Sequence, residues 1–139
     1  MNGNGVNTGA TRIVIVDDQR DLADMISAFL TDEGYAVTVC NDGREALGTI
    51  QNTNPSALIL DVMMPDTDGF EVLRQLRVSP AGKRLPVILM SAAWRANEKQ
   101  REIGTTFDIA PTLVLPKPFE LGDLERCLRQ MGVAPVGAA

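Results

Sequence analysis

Four short apolar runs in this chain each end in polar side chains, and this pattern constrains the fold more than any other feature. The runs and their polar ends read IVIVDD, ALILD, PVILMS and LVLPKP. If they are parallel strands of one sheet, their polar ends meet at one edge, where open parallel sheets bind ligands. The polar side chains concerned are Asp17, Asp18, Asp61, Ser91 and Lys117. The pattern therefore predicts a functional crevice at this edge.

Three of these side chains, Asp17, Asp18 and Asp61, are carboxylates, which repel one another strongly when they cluster without a counterion. A divalent cation relieves that repulsion, and ligands that are all oxygen suit Mg²⁺, or a similar ion such as Mn²⁺, better than zinc. The chain contains no His and no Cys-x-x-Cys motif. A zinc site therefore has almost no support.

Composition indicates one soluble globular domain. The chain has 139 residues, of which 45% are hydrophobic and 22% are charged. That length is close to the modal size of a single domain. The net charge of -5 disfavours direct binding of nucleic acid, which normally needs a basic patch. Cys40 and Cys127 lie far apart in apolar settings, which favours buried reduced thiols over a disulfide.

The ends of the chain differ from its middle. Residues 1–11 are rich in Gly and Asn and are predicted to be a disordered leader, and residues 132–139 a flexible tail. Residues 12–131 form the predicted ordered domain. No stretch reaches the roughly 18 apolar residues of a membrane helix, and no signal peptide is recognisable. We therefore expect no membrane segment and a cytoplasmic location.

Alternating strand and helix patterns run through residues 12–131. The five predicted strands span 13–16, 36–40, 57–60, 85–90 and 112–115. Helices with apolar faces are predicted between them and at the end, and Asp68 is a candidate N-cap. The predicted inward residues are Leu22, Met25, Ile26, Phe29, Leu30, Ala46, Leu47, Ile50, Phe70, Leu73, Leu76, Leu121, Leu124, Leu128 and Met131. A polar helix is predicted over 92–103. The pattern predicts a doubly wound α/β fold with about five helices.

Four motifs in order give the chain a family resemblance. They are VDD after the first strand, D-x-M-M-P-D-x-D-G after the third, MSA after the fourth and KPF after the fifth. Each motif is weak alone, but four in order at strand ends are a strong signal. The chain resembles the receiver domains of two-component response regulators over residues 12–131. The resemblance implies a flavodoxin-like parallel sheet with strand order 2-1-3-4-5.

The resemblance also implies a role for each residue at the predicted edge. Asp61 would accept a phosphoryl group, and Ser91 and Lys117 would contact the phosphoryl oxygens. The implied Mg²⁺ ligands are Asp17, Asp18, Asp61 and the backbone carbonyl of Met63. The Lys117–Pro118 peptide would be cis. Such a protein is a phosphoacceptor switch that catalyses its own phosphorylation and dephosphorylation rather than an enzyme acting on a separate substrate.

The implied partners are proteins. The phosphoryl donor would be a sensor histidine kinase or a phosphotransfer protein, and the output would pass to a downstream protein effector. Similar receivers often pair as homodimers, so a homodimer is a further expectation.

Two alternatives stay open. Val114 stands three residues before Lys117, where the family commonly has an aromatic residue, which leaves room for an interaction module that works without phosphorylation. A Mg²⁺-dependent phosphohydrolase with an Asp nucleophile is less consistent, because that family places Asp-x-Asp after its first strand. Here that position reads Asp17-Asp18-Gln19.

Overall fold

A computed structural model describes residues 10–65, 67–92 and 112–137 of the chain. Its centre is a five-stranded parallel sheet with the order β2-β1-β3-β4-β5, which confirms the predicted architecture. The strands are β1 (Arg12–Val16), β2 (Ala36–Cys40), β3 (Ala57–Asp61), β4 (Val87–Ala92) and β5 (Thr112–Lys117). All carboxyl ends of the strands therefore lie at one edge, which we call the carboxyl edge, and the opposite one is the amino edge.

Four helices are described in these parts of the chain. They are α1 (Arg20–Asp32), α2 (Ala46–Thr53), α3 (Gly69–Arg77) and α4 (Leu121–Gln130). A short 3₁₀ turn, Gly43–Glu45, leads into α2. The helix predicted over 92–103 begins at a residue that the structure places in β4, and the rest of it lies outside the described residues. None of the described helices is long and apolar enough to span a membrane.

The sheet is covered on both faces, as its continuous apolar runs predicted. Alternate residues of each strand point to opposite faces, so Val14 and Val16 pack with α2 and α3, whereas Ile13 and Ile15 pack with α1 and α4. All five residues of β3 are buried. Burying one such aliphatic side chain contributes about 1.5–3 kcal/mol, so these two layers hold the strand ends in place.

The apolar face of α1 differs from the prediction at Met25, which is 56% exposed. The residues that α1 buries fully are Ala23, Ile26 and Leu30, at spacings of three and four. Since each helical residue turns by about 100°, Met25 is rotated away from that stripe. Including Met25 among the inward residues was therefore wrong.

Strand β4 starts and ends two residues later than the sequence predicts. Pro86 has no backbone N–H for the ladder, and its carbonyl accepts a hydrogen bond from Leu58 N at 2.9 Å. The strand begins after it and runs through Ser91 to Ala92. Strand β5 also extends further, to Lys117, and it lies at the edge of the sheet, where a proline such as Pro116 is tolerated.

The first residues after α4 pack at the amino edge. Val133 is 6% exposed, and its carbonyl accepts a hydrogen bond from the Tyr35 hydroxyl at 3.2 Å. The Thr11 hydroxyl donates to Ala134 O at 2.7 Å. These contacts tie the segment after the last helix to the beginning of β1 and to the α1–β2 turn. Elsewhere, Cys40 is buried and Cys127 is half-buried, and both are free thiols.

Candidate functional site

The three carboxylates that the sequence placed at one edge converge in the structure. Asp17 directly follows β1 and Asp61 is the last residue of β3, and these two strands are neighbours in the sheet. Asp18 follows Asp17 in the same turn. One carboxylate oxygen from each of the three side chains lies within 4.8 Å of the others. The cluster has the size and the chemistry of a site for one hard cation.

Burial makes this cluster unfavourable without a counterion. The exposed fractions of Asp17 and Asp61 are 0% and 1%, and Asp18 is half-buried. Burial raises the pKa of Asp17 from 3.8 to about 6, the charge of Asp61 adds to the rise, and a hydrogen bond from the Gln19 backbone opposes it. The ionised form of Asp17 is therefore disfavoured unless positive charge is placed beside it.

Asp61 has one oxygen held by the protein and one left without a partner. Its Oδ1 accepts hydrogen bonds from Lys117 Nζ at 3.1 Å and from Met63 N at 3.3 Å. Its Oδ2 is buried and has no hydrogen-bond partner in the described part of the chain. The Lys117 side chain is 27% exposed, so the ammonium group lies between the buried carboxylate and solvent.

Ser91 completes the group of predicted side chains at this edge. The register between β3 and β4 pairs Asp61 with Met90, which places Ser91 one residue further along the neighbouring strand. Ser91 is fully buried, and its hydroxyl has no hydrogen-bond partner among the described residues. In the pairing between β4 and β5, Ala92 lies opposite Lys117. The Lys117–Pro118 peptide is cis.

Three buried oxygen atoms at this edge therefore lack partners within residues 10–65, 67–92 and 112–137: Asp17 Oδ2, Asp61 Oδ2 and Ser91 Oγ. Leaving a polar atom buried without a hydrogen bond costs about 1–3 kcal/mol. The Asp17 oxygen fits a hard cation as a ligand, the Asp61 oxygen is open to an incoming group, and the hydroxyl fits a group that accepts a hydrogen bond. The residues present therefore match a Mg²⁺ site with an oxyanion beside it.

The loop after Asp61 is closed back on itself. Met63 and Asp68 form an antiparallel bridge, and the Asp68 side chain accepts a hydrogen bond from Phe70 N at 2.9 Å, which confirms the predicted N-cap. Gly69 packs so tightly that a Cβ there would lie 2.5 Å from Val62 Cα and 2.6 Å from Asp61 O. The start of α3 therefore touches the backbone that carries Asp61.

Access to the site is open on the side of this loop. A cleft of about 630 Å³ is lined by Asp18 and Gln19, by residues 62–65, and by Thr67 and Asp68. The Met63 side chain is 52% exposed at its rim. Of the three carboxylates, Asp18 lines this cleft.

One contact at this edge was not anticipated from the sequence. Asn41 directly follows β2, where its Nδ2 donates to Asp17 O at 2.8 Å and its Oδ1 accepts from Arg20 Nη1 at 3.1 Å. The available signal was the rule that identified the acids, because Asn41 is also a polar residue directly after an apolar strand.

The sequence has clear relatives among curated proteins. The profile of the family described as "Response regulator receiver domain" matches residues 13–129. Response regulator MprA of Mycolicibacterium vanbaalenii is 41% identical over 120 residues, which are 86% of this chain and 49% of that protein. The chain thus spans about half the length of the curated relatives that it matches.

Solved structures agree with this relationship. Chemotaxis protein CheY4 of Vibrio cholerae is 31% identical, with a TM-score of 0.76 over 87% of this chain and 98% of that one. The receiver domain of sensor histidine kinase PA1611 from Pseudomonas aeruginosa, solved with a magnesium ion in its active-site cleft, is 30% identical, with a TM-score of 0.72 over 88% of this chain and 98% of its own. The chain therefore belongs to the response regulator receiver domain family of two-component signalling.

Proposed function

We propose that this receiver accepts a phosphoryl group on Asp61 from a phosphohistidine of a sensor histidine kinase or a phosphotransfer protein in the cytoplasm. The observation that carries the proposal is the environment of Asp61. Its Oδ1 is held by Lys117 Nζ, and its buried Oδ2 has no hydrogen-bond partner among the described residues. The Lys117 ammonium group thus orients one oxygen of Asp61, while the other oxygen remains available for attack on phosphorus.

The cation site supports the same proposal. Asp17, Asp18 and Asp61, together with the backbone carbonyl of Met63, would hold Mg²⁺ or Mn²⁺. When bound, this ion supplies positive charge that lowers the repulsion between the carboxylates and an incoming phosphoryl group. Asp17 and Asp18 keep the ion beside Asp61, because they leave the neighbouring strand at the same edge.

Lys117 and Ser91 would act on the phosphoryl oxygens. Phosphoryl transfer has a loose transition state with negative charge on the equatorial oxygens, so a positioned ammonium group stabilises it. Lys117 approaches Asp61 from β5, and the unpartnered Ser91 hydroxyl lies on β4 between the two. After transfer, the bound phosphoryl group offers Ser91 an acceptor, and the resulting shift at the end of β4 would carry the signal to a downstream protein effector.

Phosphorylation with a small donor tests the proposal. Wild-type protein is incubated with Mg²⁺ and acetyl phosphate, and the intact mass is measured. We expect a gain of one phosphoryl group that requires Mg²⁺ and that is absent from Asp61→Asn. Asp24→Asn, an exposed position on α1, serves as the matched control and should be phosphorylated like the wild type.

Other results would point to the alternatives. If the wild type gains no mass with acetyl phosphate or with a phosphorylated histidine donor, the proposal is wrong and a module that works without phosphorylation is favoured. If Asp61→Asn still gains a phosphoryl group, the acceptor is misassigned. Steady release of phosphate from a simple phosphate ester would instead favour a phosphohydrolase.

A further inference from the structure

We propose that Asn41 is a positioning residue for the Asp17–Asp18 turn, and that Arg20 fixes the orientation of the Asn41 amide. The inference rests on the proposed cation site, and it concerns how the two acids of the turn are held in place for the ion. Neither Asn41 nor Arg20 is part of the acidic cluster itself.

Residues at and just after the end of β2 bind both backbone groups of Asp17, its N–H and its carbonyl. Its N–H donates to Cys40 O at 3.1 Å, which extends the ladder between β1 and β2 by one step. Its carbonyl accepts from Asn41 Nδ2 at 2.8 Å. This carbonyl belongs to the peptide that joins Asp17 to Asp18. Because a peptide unit is planar and rigid, fixing its oxygen also fixes the direction in which the chain continues to Asp18.

Asp18 depends on this contact more than Asp17 does. The Asp17 side chain is fully buried and its Oδ1 accepts from Gln19 N at 2.9 Å. The Asp18 carboxylate is half-buried, and no hydrogen bond holds it in the described part of the chain. Where Asp18 lies relative to Asp61 is therefore set mainly by its backbone, which the Asn41 amide restrains at Asp17 O and the Asp17 carboxylate restrains at Gln19 N.

Arg20 settles which way the Asn41 amide points. The guanidinium offers only N–H donors, so the oxygen of the amide must face it, as the bond from Arg20 Nη1 to Asn41 Oδ1 at 3.1 Å shows. The NH₂ group then faces Asp17 O. The reversed orientation would bring two oxygens together at Asp17 and two donors together at Arg20. This relay of two hydrogen bonds joins the first residue of α1, through Asn41 after β2, to the acidic turn.

Direct measurement of cation binding tests the inference without relying on phosphorylation. Calorimetry of Mg²⁺ binding, or electron paramagnetic resonance with Mn²⁺, gives the affinity of each variant. We expect Asn41→Ala to bind about tenfold more weakly, the usual effect of removing a group that orients metal ligands. Asn52→Ala, an exposed asparagine on α2, is the matched control and should bind like the wild type. Thermal unfolding in EDTA shows whether each variant is folded.

Two further variants separate geometry from charge. Asn41→Asp adds a negative charge near the site, and Arg20→Ala removes a positive one, so electrostatics alone would strengthen cation binding in both cases. If the Asn41 NH₂ group positions the turn, both variants should instead bind the cation more weakly, and the loss of affinity should be smaller in Arg20→Ala. Arg20 is exposed, so its variant should stay folded even if changes at Asn41 prevent folding. Tighter binding by both variants would overturn the proposal.

The relay also predicts non-additivity. The double variant Asn41→Ala/Arg20→Ala should bind Mg²⁺ no more weakly than Asn41→Ala alone, because Arg20 acts through the amide. Additive losses, or an unchanged affinity in folded Asn41→Ala, would contradict the inference. If the wild type itself binds neither Mg²⁺ nor Mn²⁺, the proposed cation site fails instead, so the two failures are distinguishable.

Discussion

The two edges of the sheet differ in how far protein groups satisfy their buried polar side chains. At the amino edge, the buried Arg77 guanidinium donates to Gly82 O at 2.8 Å, to Leu85 O at 2.6 Å and to the Thr112 hydroxyl at 2.7 Å. The Tyr35 hydroxyl there donates to a backbone carbonyl as well. At the carboxyl edge, three buried oxygen atoms have no such partner among the described residues.

This difference separates structural from functional polarity. A buried polar group with protein partners contributes to the stability of the fold, whereas one without partners costs free energy until a ligand arrives. The carboxyl edge therefore stores a cost that binding of a cation and a phosphoryl group would remove. Removing side chains should have opposite effects on the free energy of unfolding at the two edges when no cation is present.

The largest expected effect is at the amino edge. Arg77→Ala leaves two buried carbonyls and a hydroxyl without their donor and opens a cavity, which should lower the free energy of unfolding by about 2–4 kcal/mol. Arg74→Ala, on the same helix but exposed, should change it by less than about 1 kcal/mol. Urea unfolding in EDTA measures both values. Equal losses in the two variants would show that Arg77 is not the anchor of this edge.

The opposite sign is expected at the carboxyl edge. Asp17→Asn removes a buried charge, so without a cation at pH 7 the free energy of unfolding should rise by about 1–3 kcal/mol, given that about 1.4 kcal/mol corresponds to one pKa unit. Mg²⁺ should raise the melting temperature of the wild type but have little effect on the variant. Destabilisation by Asp17→Asn in EDTA would remove the contrast between the edges.

The pH dependence of this gain sharpens the comparison. Because the pKa of Asp17 is about 6 in the folded chain and 3.8 in the unfolded one, the folded state binds more protons between these values. Stability of the wild type in EDTA should therefore fall as pH rises from 4 to above 6, relative to Asp17→Asn. Below the unfolded pKa the two should differ little. Urea unfolding of both proteins across this range measures the difference, and a gap that does not change with pH would contradict it.

The smallest effect concerns the contact between the α1–β2 turn and the segment after α4. Tyr35→Phe removes the hydrogen bond to Val133 O while keeping the ring buried, so the loss should be about 0.5–1.5 kcal/mol. The affinity for Mg²⁺ should not change, since this contact lies at the amino edge. A changed affinity would mean that the two edges are coupled rather than separate.

Much of the fold followed from local patterns. Unalternating apolar runs predicted buried parallel strands, and the polar residue after each run predicted which side chains meet, as Asp17 and Asp61 do. The strand order came from the resemblance of the four motifs to a known family. Strand ends did not follow from these patterns, because a run such as LPVILMS does not reveal that the strand begins after Pro86 and includes Ser91.

Contacts that depend on distant segments were out of reach. Met25 fits the helical period as well as Ile26 does, and only the placement of α1 on the sheet decides which one is buried. Asn41 looks like an ordinary turn residue until β1 and β2 are paired. A charged residue such as Arg77 is normally exposed, and its burial depends on the loop after α3 folding back over it.

The tight packing at Gly69 limits how this protein can vary. With Val62 Cα and Asp61 O already within 2.6 Å of where a Cβ would stand, even alanine would have to push apart two backbone segments. If position 69 is varied to all amino acids and folded protein is selected, glycine should be recovered almost exclusively, although it has no side chain that could take part in a reaction. Substitutions meant to alter the properties of the domain therefore have more room at exposed positions such as Met63 than at Gly69.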